Sequence, residues 1–493
     1  MIAQHLPILQ IVLPLMAAPV CMVIRHPQVV WIWATLITFL CLPISIALLV
    51  QVMAEGVIVY ELGGWAAPWG IEYRIDKLNA FVLVIVTAIG AVVMPYARRT
   101  VDTEIPVSRV YLFYTMLLLC EAGLLGITIT GDAFNLFVFL EVSSLSSYVL
   151  ISFGKDRRAL TAAYRYLIMG TIGATFYIVG VGLMYNATGS LNIYDLSKLI
   201  PELGGSRTIQ AALAFLTVGL GLKLALFPMH MWLPNAYTYA PSAVTVFLAA
   251  TATKVAVYAL IRVTYTIFGT VDILEIVPVQ DMFMLMAVIA MFVGSLVAIY
   301  QVNVKRMLAY SSVAQIGYMV LGLSFDTVTG VAAGIVHLFN HAVMKGGLFM
   351  ALGAVAYRVG GVRLEHMAGL GKTMPWTMAS FVAGGLGLIG VPLTVGFVSK
   401  WYLIQAALEK GWWMIAVLIV ICSLLAVVYV WRVVEVIYFR PVSEIAQEAK
   451  EAPLSMLIPT WVLISASIYF GIDATTTLDV AFAAARTLLG GGG

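Results

Sequence analysis

Fourteen apolar segments, each near the ~20 residues that a helix needs to cross a bilayer, constrain this chain more than any other feature. Their approximate limits are 8–24, 30–53, 78–97, 108–129, 132–153, 159–185, 209–235, 242–268, 280–300, 306–323, 328–357, 376–408, 412–438 and 454–472. Only 10% of the residues are charged and 62% are hydrophobic, whereas an ordinary soluble domain carries about 25% charged residues. The expected fold is an all-α polytopic membrane protein of about 14 transmembrane helices.

The first apolar run follows Met1-Ile-Ala-Gln-His5 with no basic leader and no small-residue cleavage pattern, so the first helix is expected to be retained. Cys21, Cys41, Cys120 and Cys422 all fall inside apolar spans without a C-x-x-C pair and read as small packing residues. Lys and Arg are unevenly divided between alternate loops: 16 lie on one side, including Arg98, Arg99, Lys155 and Lys305, and 7 on the other, including Arg74, Lys77 and Arg262. The positive-inside rule puts the richer set in the cytoplasm and both termini outside the cell membrane. The formal net charge of +3 follows from this topology and gives no reason to expect nucleic-acid binding. The loops are short, leaving no soluble catalytic domain. The stretch from Val57 to Asp76 alternates around Ala67-Pro-Trp69 and predicts a small β-hairpin on the outer face.

Two interrupted spans reveal an internal repeat. Gly219-Leu-Gly-Leu-Lys-Leu-Ala-Leu-Phe-Pro228 lies in the seventh and Gly385-Leu-Gly-Leu-Ile-Gly-Val-Pro392 in the twelfth. A mid-span proline breaks the helix and frees carbonyls. The offset of five spans is odd, so two five-helix units, spans 4–8 and 9–13, run in opposite directions as inverted repeats. The expected organisation is therefore an N-terminal unit over 1–107, a first repeat over 108–268, a second over 280–438, and a C-terminal helix and tail over 439–493.

Lys223, Lys254, Lys345 and Lys400 lie deep in these apolar spans. An ammonium at that depth costs several kcal/mol and marks a functional site by default. Glu141, buried in the fifth span, is a candidate counter-charge for Lys223: a nearby carboxylate favours the charged lysine and desolvation the neutral one, so their separation sets a switchable proton site. The bland alternative is a static packing pair. Lys254 is too deep for easy snorkelling. His337, His341 and Lys345 recur every four residues and share one helical face, with Asn340 beside them. A hydrogen-bond relay suits this stripe better than a metal, since the pair lacks an interposed Glu and further ligands. Lys400 follows the second break by eight residues. His230, two residues after Pro228, and Glu121, without an evident partner, are accessory candidates, and Glu435 is expected to pair locally with Arg432. Gly385-Leu-Gly-Leu-Ile-Gly390 matches a nucleotide-loop pattern but sits inside a span, where small residues serve helix packing. With no P-loop and no nucleophile triad, enzymatic chemistry and a bound cofactor are not expected.

Several motifs together resemble a known family, the antiporter-like subunits shared by Mrp-type multisubunit cation/proton antiporters and respiratory complex I. They are Thr130-Gly-Asp-Ala-Phe-Asn-Leu-Phe-Val-Phe-Leu-Glu141, Lys223 with Leu226-Phe-Pro-Met-His-Met-Trp-Leu-Pro234, Pro241-Ser-Ala243 through Thr253-Lys254, Lys305-Arg-Met-Leu-Ala-Tyr-Ser-Ser312 with Gln315-Ile-Gly-Tyr318, and Gly390-Val-Pro392 with Gly396-Phe-Val-Ser-Lys400. Within the family, Glu61-Leu-Gly-Gly-Trp65, Gly70-Ile71 and Gly131-Asp-Ala-Phe-Asn-Leu-Phe137 look most like the D-type member of Mrp antiporters. Glu121 departs from the commonest D-type pattern. The resemblance implies a Glu141–Lys223 modulating pair, proton carriage through Lys254 and the His337, His341, Lys345 stripe, and an exit near Lys400. It also implies other membrane subunits as partners, with protons and Na+ or K+ as the transported ions. The rival expectations are a proton-pumping subunit of a complex I-like oxidoreductase or membrane hydrogenase, and a self-sufficient transporter of a small solute.

Overall fold

The computed structural model of the protein describes residues 2–203, 205–269 and 278–490; the extreme ends of the expected N- and C-terminal units lie outside this range. The N-terminal unit comprises α1 (Leu6–Ile24), α2 (Pro27–Glu55), a two-stranded hairpin of β1 (Ile58–Glu61) and β2 (Glu72–Ile75), and α3 (Lys77–Glu104). The segment expected as the first repeat contains α4 (Val110–Ile129), α5 (Ala133–Ser152), α6 (Arg158–Thr188), a short α7 (Ile193–Glu202), α8 (Arg207–Leu224), α9 (Leu233–Tyr239), α10 (Ser242–Ala250) and α11 (Ala252–Ile261). The segment expected as the second contains α12 (Val279–Ile299), α13 (Val304–Ser324), α14 (Val328–Val359), α15 (Pro375–Ile389), α16 (Val395–Glu409) and α17 (Trp413–Phe439), and α18 (Leu454–Ile472) and α19 (Thr475–Leu488) follow. Among the described residues, 13 helices are long and apolar enough to cross a membrane. The remaining expected span, 376–408, is the helix pair α15–α16, each half too short to cross alone.

The hairpin forms where sequence alternation placed it, with Val59 opposite Arg74 and Tyr60 opposite Tyr73 in antiparallel register. Its return strand leads into an N-terminal cap on α3: the Asp76 carboxylate accepts from the backbone N–H of Leu78 and Asn79, while Asn79 accepts from Asp76 N–H at 2.7 Å. The carbonyl of Glu72 accepts from Gly131 N–H, and Gly131 in turn accepts from Ile193 N–H, which knits the hairpin to the start of α5 and to α7. His5 at the N-terminus bonds Tyr60 of the same hairpin, and the end of α19 lines a cavity with Arg74 and Asp76. His5 and the end of α19 thus lie on the hairpin face.

Helix α14 is the hub. It packs against α3, α10, α13, α15, α16, α18 and α19, and every residue from Gly330 to Val355 except Phe339 is buried. The outer helices face lipid instead: α2, α17 and α18 each bury about a third of their most apolar stretch.

Both expected breaks are present. At the first, α8 ends on Ala225 in the left-handed region (φ 59°), and the chain turns through Phe227–Trp232 before α9. At the second, α15 ends on Gly390 (φ 90°), followed by Leu393 (φ 71°) and the start of α16 at Val395. Glycine supplies the left-handed conformation at Gly390 without steric cost. A third interruption, unmarked by glycine or proline, divides the eighth span at Thr251 (φ −125°, ψ −59°) between α10 and α11, and α11 then runs into a π-helical segment, Arg262–Ile267. Among the described residues, two helices of ten residues or more lie beyond the expected spans. In α7, Asn192 caps the N-terminus, and in α19 the expected tail folds against α3 and α14. Their apolar residues recur on one face only, a pattern that a search for long apolar runs passes over.

Candidate functional site

The first break brings its lysine to a carboxylate. Lys223 lies in the last turn of α8, and its Nζ sits 3.3 Å from Glu141 Oε1 of α5 and donates to Ser144 Oγ at 2.7 Å. Glu141 and Ser144 are three residues apart on α5 and therefore adjacent on its surface. The lysine is 5% exposed, whereas the Glu141 side chain keeps 25% of its surface accessible. The contact is thus a one-oxygen pair shared with a hydroxyl, with the second carboxylate oxygen free to take another partner.

Lys254 sits one turn past the break at Thr251, fully buried, with its Nζ on the Ala249 carbonyl and 3.4 Å from Thr253 Oγ1. The break in the eighth span exposes the carbonyl that holds it. Lys345, also fully buried, donates to the Leu308 carbonyl at 2.8 Å and to Ser311 Oγ, both from α13. Lys400 donates to the carbonyls of Leu388 at 3.0 Å and Ile389 at 2.8 Å, which are the groups freed where α15 ends. Its ammonium also lies 4.9 Å from the centre of the Tyr318 ring. These three ammonium groups rest on carbonyls, hydroxyls and an aromatic face, and no carboxylate pairs with them within 4 Å among the described residues.

The histidines fill the space between. His337 bonds Ser399 Oγ through Nδ1 (2.7 Å) and Gln315 Oε1 through Nε2 (3.0 Å), so it links α14 to both α16 and α13. His341 stacks one turn away, with ring centroids 6.2 Å apart, and neither of its nitrogens has a protein partner. Such buried orphan nitrogens are natural positions for bridging water. Through His337, the stripe of α14 therefore reaches Ser399, the residue before Lys400. Asn340 donates to the Val395 carbonyl at the second break (2.6 Å) and fastens α14 there. Among the described residues, no cluster of three His, Cys, Asp or Glu side chains gathers around these histidines.

The accessory candidates take separate places. His230 lies in the turn after the first break, buried and stacked on Phe227, with Nδ1 unpartnered. Glu121 of α4 is 1% exposed and accepts from Thr38 of α2 at 2.8 Å, with its other oxygen unpartnered beside Gly90 of α3. It stands among the N-terminal helices, away from the lysine line. The expected Arg432–Glu435 pair does not form: Glu435 pairs with Arg440 at 3.1 Å, and Arg432 donates to the carbonyls of Ile299 and Gln301. The packing of α17 directs Arg432 toward the C-terminus of α12, where orphan carbonyls attract a cation.

Sequence reasoning missed several partners. Ser144 and Ser399 were legible as the hydroxyls one turn from Glu141 and adjacent to Lys400, whereas Ser311, Gln315 and Tyr318 come from α13 and no local signal joins them to α14. On the hairpin face, Arg262 of the π segment pairs with Asp76 at 2.6 Å and donates to Tyr258 Oη at 3.0 Å, beside a cavity of about 280 Å³. Burial works against the Asp76 charge, but Arg262 and the N–H groups of Asn79 and Leu78 hold its carboxyl below the usual carboxylate range.

Residues 130–426 match the model of the family described as NADH:quinone oxidoreductase/Mrp antiporter, transmembrane. The chain is 42% identical to the N-type component of the NADH-quinone oxidoreductase of Desulforudis audaxviator, over 95% of this chain and 96% of that one. It is 32% identical to the D-type component of the Na(+)/H(+) antiporter of Alkalihalophilus pseudofirmus, over 90% and 89% respectively. Among solved structures, a chain of a membrane-bound sulfane sulfur reductase, an archaeal respiratory membrane complex, superposes with a TM-score of 0.91 at 32% identity over 98% of both chains. A chain of the Mrp complex of Dietzia sp. superposes with a TM-score of 0.89 at 25% identity over 99% and 98%.

Proposed function

Because this chain belongs to the NADH:quinone oxidoreductase/Mrp antiporter transmembrane family, we propose that it is the proton-translocating subunit of a multisubunit Na+ or K+/proton antiporter. Protons pass along Glu141, Lys223, Lys254, the His337, His341, Lys345 stripe and Lys400. One observation carries this reading: Lys254, Lys345 and Lys400 are 0 to 5% exposed and held by neutral oxygen atoms, with His337 and His341 on the same helix face as Lys345 and His337 bonded to Ser399 beside Lys400. A buried ammonium without a counter-ion is poised to lose its proton, and a series of such groups moves charge without large backbone motion. Glu141 modulates Lys223 by approach and withdrawal, since its pairing through a single oxygen can be exchanged for solvent. The richer Lys and Arg loops face the cytoplasm and both termini face outward.

The decisive measurement is proton flux in vesicles carrying the assembled complex. Lys223→Ala should abolish cation-coupled flux with the complex still assembled, and wild-type flux in that variant sinks the relay. A second reading is favoured by the 42% identity to an NADH-quinone oxidoreductase component and the likeness to a respiratory sulfane sulfur reductase: the same relay would then serve a complex I-like oxidoreductase. Co-purification separates the two, because flavin or iron-sulfur partners exclude the antiporter assembly and small membrane subunits alone exclude the oxidoreductase.

A further inference from the structure

A polar triad stands at the face opposite the hairpin, outside the lysine line, and joins α3, α10 and α13. Glu104 is the last residue of α3 and is half-buried. Its two oxygens accept from Ser242, Oε2 from the backbone N–H at 2.6 Å and Oε1 from the hydroxyl at 2.7 Å, so the carboxylate caps the N-terminus of α10. Ser242 Oγ in turn accepts from Lys305 Nζ at 3.1 Å, and Lys305, in the first turn of α13, is only 7% exposed. The neighbours of Glu104 on α3, Asp102 and Thr103, are exposed. The carboxylate therefore meets water on one side and a buried ammonium, through one hydroxyl, on the other.

Helix α13 continues inward from that ammonium. Leu308 and Ser311, three and six residues beyond Lys305, are the two groups that hold Lys345. At ~1.5 Å per residue, they lie about 4.5 and 9 Å further along the helix axis. Tyr96, two turns earlier on α3, commits its hydroxyl to the Met350 carbonyl of α14.

We propose that Glu104, Ser242 and Lys305 form the proton inlet to Lys345 on the face opposite the hairpin. A proton from water adds to the Glu104 carboxylate and makes it neutral. Lys305, deprived of its counter-charge, passes one proton through bridging water to the neutral amine of Lys345. Glu104 then gives its proton to the Ser242 hydroxyl, which passes its own to the Lys305 amine, restoring the carboxylate and the ammonium. One proton has moved from water to Lys345. The inference rests on the relay reading but adds a sidedness that the relay lacks.

The test uses the assembled complex in vesicles of both orientations, with proton flux followed as pH is varied on one face at a time. In Glu104→Gln, the proton concentration giving half-maximal flux should change by roughly threefold or more, about half a pH unit, when pH is varied on the face opposite the hairpin and not on the other. Ser242→Ala should give the same one-sided shift, and Glu104→Asp should restore much of the wild-type profile. A wild-type profile in both Glu104→Gln and Ser242→Ala, or equal changes from both faces, overturns the inlet while leaving the relay standing. If Glu104→Gln fails to assemble, the Ser242→Ala profile alone decides. Absence of proton flux in the wild-type complex overturns the relay itself.

Discussion

At the scale of single residues, the energetic anomaly of four lysines in apolar helices resolves into two kinds of site. Lys223 has a carboxylate within 3.3 Å, and the other three have only neutral oxygen partners. The difference predicts unequal responses to substitution at the switch. Glu141→Gln should depress flux nearly as far as Lys223→Ala, and Glu141→Asp less so, since a shorter carboxylate still biases the ammonium. Ser144→Ala should fall between wild type and Glu141→Gln, because the hydroxyl stabilises Lys223 but carries no charge; measured flux equal to that of Lys223→Ala would make Ser144 the principal partner instead. A separate expectation concerns Asp76, whose folded carboxyl is held below the ~3.9 of an unfolded aspartate. The stabilisation that it gives is complete above about pH 4 and is lost as pH falls through the lowered folded value. The thermal stability gap between wild type and Asp76→Asn in detergent should therefore stay constant from neutral pH down to about 4 and close only below it.

At the scale of elements, the helix breaks do the positioning. Each frees carbonyls inside the membrane, where they must be satisfied within the protein, and at two breaks the partner is a lysine: Lys254 on Ala249 and Lys400 on Leu388 and Ile389. Proline and glycine made the seventh and twelfth spans legible as interrupted. The break at Thr251 left no such mark, because Ala249-Ala-Thr-Ala-Thr253 is compatible with a continuous helix and the interruption arises from what surrounds it. Gly390 shows how close the packing is: a Cβ there would meet Lys400 Cδ at 3.0 Å and Nζ at 3.4 Å. Gly390→Ala should therefore cost roughly 1–2 kcal/mol for the left-handed backbone alone, and it should reduce flux further than Gly411→Ala, where the backbone is also left-handed (φ 72°) but nothing lies within 4 Å. Comparable flux in the two variants would show that the crowding at Lys400 has no functional weight.

At the scale of the whole molecule, α14 carries the stripe of His337, His341 and Lys345 through the centre while seven other helices close around it. Helix α19 is one of them, which predicts that truncation after Asp473 destabilises the centre as well as the C-terminus; a melting temperature unchanged by that truncation would show the helix to be peripheral. Orientation is open to direct measurement, and cysteines introduced at the exposed positions Lys155 and Trp69 should be labelled from the cytoplasmic and outer sides respectively.

The sequence by itself determined the number and approximate limits of the membrane spans, the hairpin, two of the three breaks and the four lysines inside the spans, while it left the buried Lys305 and Arg262 among the loop charges. Those features depend on local composition: bilayer thickness fixes segment length, proline and glycine fix interruptions, and a charge in an apolar run is visible wherever it packs. The Glu141–Lys223 pairing was inferable because few carboxylates lie in neighbouring spans. Only the tertiary structure decided that Lys345 rests on Ser311, that His337 reaches Gln315 and Ser399, that Arg432 turns to α12 and leaves Glu435 to Arg440, and that Glu104 meets Lys305 through Ser242. Each joins segments with no periodicity in common, and which helix faces which follows from the packing of complete surfaces, not from the order of residues along any one of them.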